Sequence, residues 1–129
     1  MDEHGCPSPA LPPRPDGERA LVSGEYGGLG LAVPGYAWPV QMSYVDPATC
    51  TDDHLARLAE VRALVCRGGN GAVYTQISDV EGELNGFLTY DRAVLKPDTK
   101  RLKDAHEALI REASRVTPTG CPAPQPVLE

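Results

Sequence analysis

The stretch Ala20-Leu21-Val22-Ser23-Gly24-Glu25-Tyr26-Gly27-Gly28-Leu29-Gly30-Leu31 joins a short apolar run to a carboxylate and then, at once, to glycines. Ala20 to Ser23 is too short for a helix and is closed by a glycine, so residues 20–24 read as a buried strand. Glu25 follows at its C-terminal end. A carboxylate there does not belong in a core, because an unpaired buried charge costs about 3–5 kcal/mol. Gly27, Gly28 and Gly30 leave the neighbouring backbone bare, so a ligand can approach closely. This is the layout of a catalytic acid at the mouth of an α/β barrel, where strand ends carry the chemistry. The same residues also fit a plain alternative, a solvated turn glutamate before a glycine-rich loop.

Around this stretch lies a chain of 129 residues, enough for one domain with a modest core. The net charge is −6 with no basic block, which excludes nucleic acid and anionic membrane as expected partners. No apolar run reaches the roughly 18 residues of a membrane span. The first residues show no basic segment followed by an apolar one, so no secretory signal is expected and a cytoplasmic location is. Cys6, Cys50, Cys66 and Cys121 are widely spaced and match no metal pattern; free thiols are the expectation, with a disulfide as the alternative.

Residues 1–19 contain five prolines between Pro7 and Pro15 and read as an extended loop. Gly27 to Cys50 has no clear periodicity and holds Tyr36, the single tryptophan Trp38, and Tyr44. A loop of that length is functional more often than not, and its aromatics suit either a wall over a site or a cover on the core. Thr51 to Arg67 has the signals of a helix: a capping threonine, Asp52 and Asp53 in the first turn, and Gly68 as a stop. Its expected inner side carries Leu55, Leu58, Ala59, Arg62, Val65 and Cys66, with His54 exposed and inert in the first turn. Gly71 to Gln76 reads as a second strand. Asp79, Glu81 and Glu83 follow at alternate positions without the glycine and terminal glutamate of a calcium loop, so no metal and no cofactor are expected. Gly86 to Asp91 is a short extended piece. Pro97-Asp98-Thr99 opens a helix to about Arg115 with Leu102, Ala105, His106, Leu109 and Ala113 inward. Residues 116–129 form a proline-rich tail, expected to be disordered. Two successive βα units imply parallel strands, with both long loops on the face of Glu25.

Three separated motifs resemble glycoside hydrolase family 2, the β-galactosidase and β-glucuronidase group. The apolar run ending in Gly24-Glu25-Tyr26-Gly27 resembles the family's nucleophile strand. Gly71 to Asp79 resembles its last strand, and Gly86-Phe87-Leu88-Thr89-Tyr90-Asp91-Arg92 with Lys96-Pro97 resembles the approach to its last helix. The resemblance covers residues 2 to 115. It implies the C-terminal fragment of a (β/α)8 TIM barrel, from about strands six and seven to helix eight. Residues 1–19 would be a loop from the end of strand six and residues 20–115 the two terminal βα units.

It further implies a retaining enzyme acting on β-linked sugars, with Glu25 as nucleophile. The acid/base carboxyl would lie far upstream and is missing here, so an N-terminal barrel portion or upstream polypeptide is the implied partner beside the carbohydrate. By the same resemblance His4, Tyr74, Gln76 and Asp79 are candidates for holding sugar, beside Tyr26, Tyr36 and Trp38; Asp79 and Gln76 equally suit pinning their loop. Cys6 stands where the family has a tyrosine. A non-catalytic carbohydrate-binding or interaction remnant is the alternative reading.

Overall fold

A computed structural model describes residues 1–13, 16–36, 46–116 and 121. The expectations for Trp38, Tyr44 and nearly all of the proline-rich tail lie outside these residues. The described elements run β1 (Asp2–His4), β2 (Leu21–Gly27), α1 (Pro47–Cys66), β3 (Gly69–Thr75) and α2 (Thr99–Ala113).

The three strands form one parallel sheet in the order β1-β2-β3. This corrects the barrel expectation. The class is α/β, but in place of a barrel fragment the described residues form a small three-stranded parallel sheet with two helices, β1 and β3 being its edges. At the start of the chain, residues 2–4, part of the expected extended loop and by the resemblance the end of strand six, form the edge strand β1.

β2 alternates poorly because it is bulged on both sides. Glu3 pairs with Ser23 and His4 with Glu25, so Gly24 is skipped against β1; a second irregularity lies between Ser23 and Tyr26 against β3. Glu25 therefore lies within β2, two residues before its end, and not past it.

α1 begins four residues before the expected Thr51. Asp46 caps it by accepting the Thr49 N–H at 2.8 Å, and Pro47 occupies the first turn, where a missing N–H costs nothing. Its buried face is Cys50, Thr51, His54, Leu58, Val61 and Leu64. Of the expected inner residues only Leu58 is buried, and Ala59 is exposed. His54 is buried rather than exposed. Apolar residues surround α1 on several sides, so the pattern alone does not single out a face; the packing of α1 against β3 and α2 does. α2 is capped by Asp98, which accepts the Arg101 N–H at 3.0 Å; Leu102 is buried, with Ala105, His106, Leu109 and Ala113 half-buried beside it.

Polar groups tie the helices together. The Thr51 hydroxyl donates to the Pro47 carbonyl at 2.7 Å and accepts from the Asp98 N–H at 3.0 Å, which fixes the start of α2 against α1. Arg62 forks onto both oxygens of Glu112, and Arg101 meets Asp52 at 2.8 Å. A disulfide joins Cys66, at the end of α1, to Cys121, with Cys6 and Cys50 free. The expectation of four free thiols is corrected accordingly. Among the described residues no helix is long and apolar enough to cross a membrane.

Candidate functional site

β1, through both of its ends, and the C-terminal part of β2 bring three polar side chains together. His4 Nδ1 lies 2.9 Å from Glu25 Oε2, and His4 Nε2 lies 3.4 Å from Asp2 Oδ2. The imidazole thus stands between two carboxylates, all three half-exposed or more. Gly24 makes this possible. A Cβ there would sit 2.7 Å from Asp2 Oδ2 and 2.9 Å from His4 Nε2, so the bulge residue must be bare for the β1 side chains to lie on β2. The backbone holds the arrangement: the Gly5 N–H donates to the Glu25 carbonyl at 2.9 Å and the Gly27 N–H to the Pro7 carbonyl at 3.0 Å. Cys6 is nearby. Its thiol pKa is pushed up, first by partial burial and then by the Glu25 charge.

Such an arrangement suits a carboxylate that must be held in one orientation. The hydrogen bond to His4 fixes one oxygen of Glu25, and the side chain stays 41 % exposed, open to an electrophile.

The remaining candidates lie elsewhere. Tyr26 alternates to the opposite side of β2, is 2 % exposed, and packs edge-on to Tyr74 at 5.5 Å between ring centroids. Burial pushes its phenol up to about 12. Tyr74 lies flat on Phe87 at 4.4 Å, so that ring face is occupied by protein. Gly27, at φ +103°, passes so close that a Cβ would meet the Tyr74 ring at 2.3 Å. Gln76 donates to Asn85 Oδ1 at 2.6 Å and Glu83 Oε2 at 3.1 Å. Tyr36 is 40 % exposed on the turn at 34–36, away from any described strand.

Asp79 is withdrawn from water. Lys96 Nζ donates to Asp79 Oδ1 at 2.6 Å and to the carbonyls of Leu31 and Leu84, both at 2.9 Å; the Gly86 N–H adds a bond to Asp79 Oδ1 at 2.9 Å. The three ammonium donors are all used, so this pair pins the loops that follow β2 and β3.

Two groups of residues carry chemistry that the sequence reading did not assign. Asp2 joins the Glu25 cluster through a three-residue strand too short to leave an apolar pattern. His54 and His106 meet across α1 and α2 with Nε2 atoms 3.1 Å apart. Their spacing on two separate helices gives no local motif. Among the described residues no group of three or more His, Cys, Asp or Glu side chains could hold a metal ion.

Comparison with protein-family models and with curated proteins gives no significant match for this chain.

Proposed function

We propose that this chain carries the nucleophilic half of a retaining site for β-linked sugars, with Glu25 as the nucleophile. The observation that supports it is the half-exposed Glu25 carboxylate at the C-terminal edge of a parallel sheet, hydrogen-bonded to His4 at 2.9 Å beside bare glycine backbone. In this reading the free oxygen of Glu25 attacks the anomeric carbon. The bond from that carbon to the leaving oxygen breaks, and the leaving oxygen takes the electron pair and a proton from a second carboxyl about 5–5.5 Å away. Water then displaces Glu25 from the sugar. The side chains that touch Glu25 are His4 and, through it, Asp2; the acid/base carboxyl is assigned to a second polypeptide that docks beside the sheet. The Cys66–Cys121 disulfide favours an oxidising compartment over the cytoplasm for this chain.

A dinitrophenyl β-glycoside tests the reading, because dinitrophenolate leaves without a proton donor. The chain alone is expected to release about one equivalent of phenolate and then stall, since the base that activates water is absent. Glu25→Gln is expected to abolish the burst. A burst that survives Glu25→Gln would remove the assignment.

One observation favours a second reading, an interaction module without catalysis. Val73, Ile77, Val80, Tyr90 and Leu95, on edge strand β3 and the segments after it, are 55, 72, 47, 65 and 58 % exposed. Stable association in sedimentation together with no burst on any glycoside would favour that reading.

A further inference from the structure

We infer that His54 and His106 form a proton-operated latch between α1 and α2: while both rings are neutral it holds the helices together, and one added proton opens it. His54 is 1 % exposed. The rings of Tyr74 and Phe87 meet it edge-on at 4.7 and 5.0 Å, and its Nδ1 has no hydrogen-bond partner. Its Nε2 lies 3.1 Å from His106 Nε2. Two nitrogens at that distance need one proton between them, with one ring donating and the other accepting.

The surroundings choose the donor. If His106 donated, His54 would carry its proton on Nδ1 and leave a buried N–H unpaired, the costlier kind of orphan. His54 therefore donates from Nε2, and the lone pair of His106 Nε2 receives it. His106 is half-buried, so a proton from solvent arrives on that same nitrogen. Two N–H groups then face each other at hydrogen-bond distance. Relief requires either a stranded Nδ1 proton on His54 or movement of α2 away from α1.

Among the described residues no carboxylate makes a hydrogen bond or ion pair with either imidazole. The rings that meet His54 are Tyr74 from β3, Phe87 from the segment after it, and His106. Burial first and the neighbouring imidazole second pull His54 down to about 4, and burial lowers His106 as well. The charged pairs Arg62–Glu112 and Arg101–Asp52 link the same two helices. Arg62 holds Glu112 below the usual carboxylate range, so this pair stays charged as the imidazoles titrate. The response is thus a local loosening of α2 over Tyr74 and Phe87.

Amide hydrogen exchange on the full chain tests this at about pH 7.5 and about pH 5, with rates corrected for intrinsic chemistry. Amides of α2 around His106 are expected to lose about tenfold more protection than those of β2. In His106→Gln, whose amide oxygen accepts from His54 but does not titrate, the α2 loss should disappear. An equal loss in His106→Gln, or no loss in the unaltered chain, would overturn the latch. If His106→Gln does not fold, nitrogen NMR of the unaltered chain decides it: a proton on His54 Nε2 with a bare Nδ1 at neutral pH supports the latch, and a proton on Nδ1 contradicts it.

Discussion

Lys96 places its ammonium 2.6 Å from the Asp79 carboxylate at a point where both residues are at most 5 % exposed. The pair fastens segments far apart in sequence, since Lys96 also holds the carbonyls of Leu31 and Leu84. Removing one partner strands the other charge in a dry site. Lys96→Met is expected to lower unfolding free energy by about 3–5 kcal/mol in urea titration. Lys96→Met with Asp79→Leu should recover part of that loss, because no charge is then left unpaired.

Acid should weaken the fold above the range where carboxylates titrate. His54 is held at about 4 in the folded chain against 6.5 for the free side chain. Its folded pKa is lowered, so the unfolded chain binds the proton first. Stability is full above about pH 6.5 and falls as pH drops toward about 4, by about 3 kcal/mol. Thermal melts across that range check the slope, and His54→Phe is expected to flatten it at some cost in packing.

Gly27 sits at φ +103° with the Tyr74 ring where a Cβ would be. Gly27→Ala must both strain the backbone and move an aromatic ring that is stacked on Phe87. A loss of about 2–4 kcal/mol is expected in denaturant unfolding, more than the few tenths of an ordinary surface exchange.

The Cys66–Cys121 bridge closes a separation of 55 residues that includes β3 and α2. Loop entropy sets its contribution at up to about 4 kcal/mol. Thiol titration of the denatured, unreduced chain should find Cys6 and Cys50 alone, and reduction should expose the other two cysteines and lower the melting temperature.

Which parts of this structure the sequence made legible follows from how local their signals are. β3 and α2 announce themselves through glycine turns, an aspartate cap and a clear apolar stripe, and they appear within about two residues of their expected bounds. The start of α1 was hidden because Asp46-Pro47 also suits a turn. Its inner face was hidden because Thr51 and His54 are buried by a long-range bond to Asp98 and a meeting with His106, which no window along the chain contains. β1 offers only Asp-Glu-His, a polar edge that pairs through its backbone. The expectation of a barrel fragment failed for a related reason: a βα order specifies parallel strands but not the larger sheet they would belong to. Glu25 stood out because glycines isolate it, whereas its contact with His4 depends on Gly24 being skipped in the register, a tertiary fact.

The most direct test of Glu25 as nucleophile is intact-protein mass spectrometry after incubation with a 2-deoxy-2-fluoro β-glycoside bearing dinitrophenolate. The fluorine slows the second step, so a working nucleophile keeps its sugar, and the leaving group needs no proton from the absent acid. The account predicts a single added fluorosugar on the folded chain, mapped by peptide sequencing to Glu25, absent in Glu25→Gln and slowed in His4→Ala. A folded chain that takes no label from any such glycoside, alone or with candidate partner polypeptides, or that takes it at another residue, would contradict it.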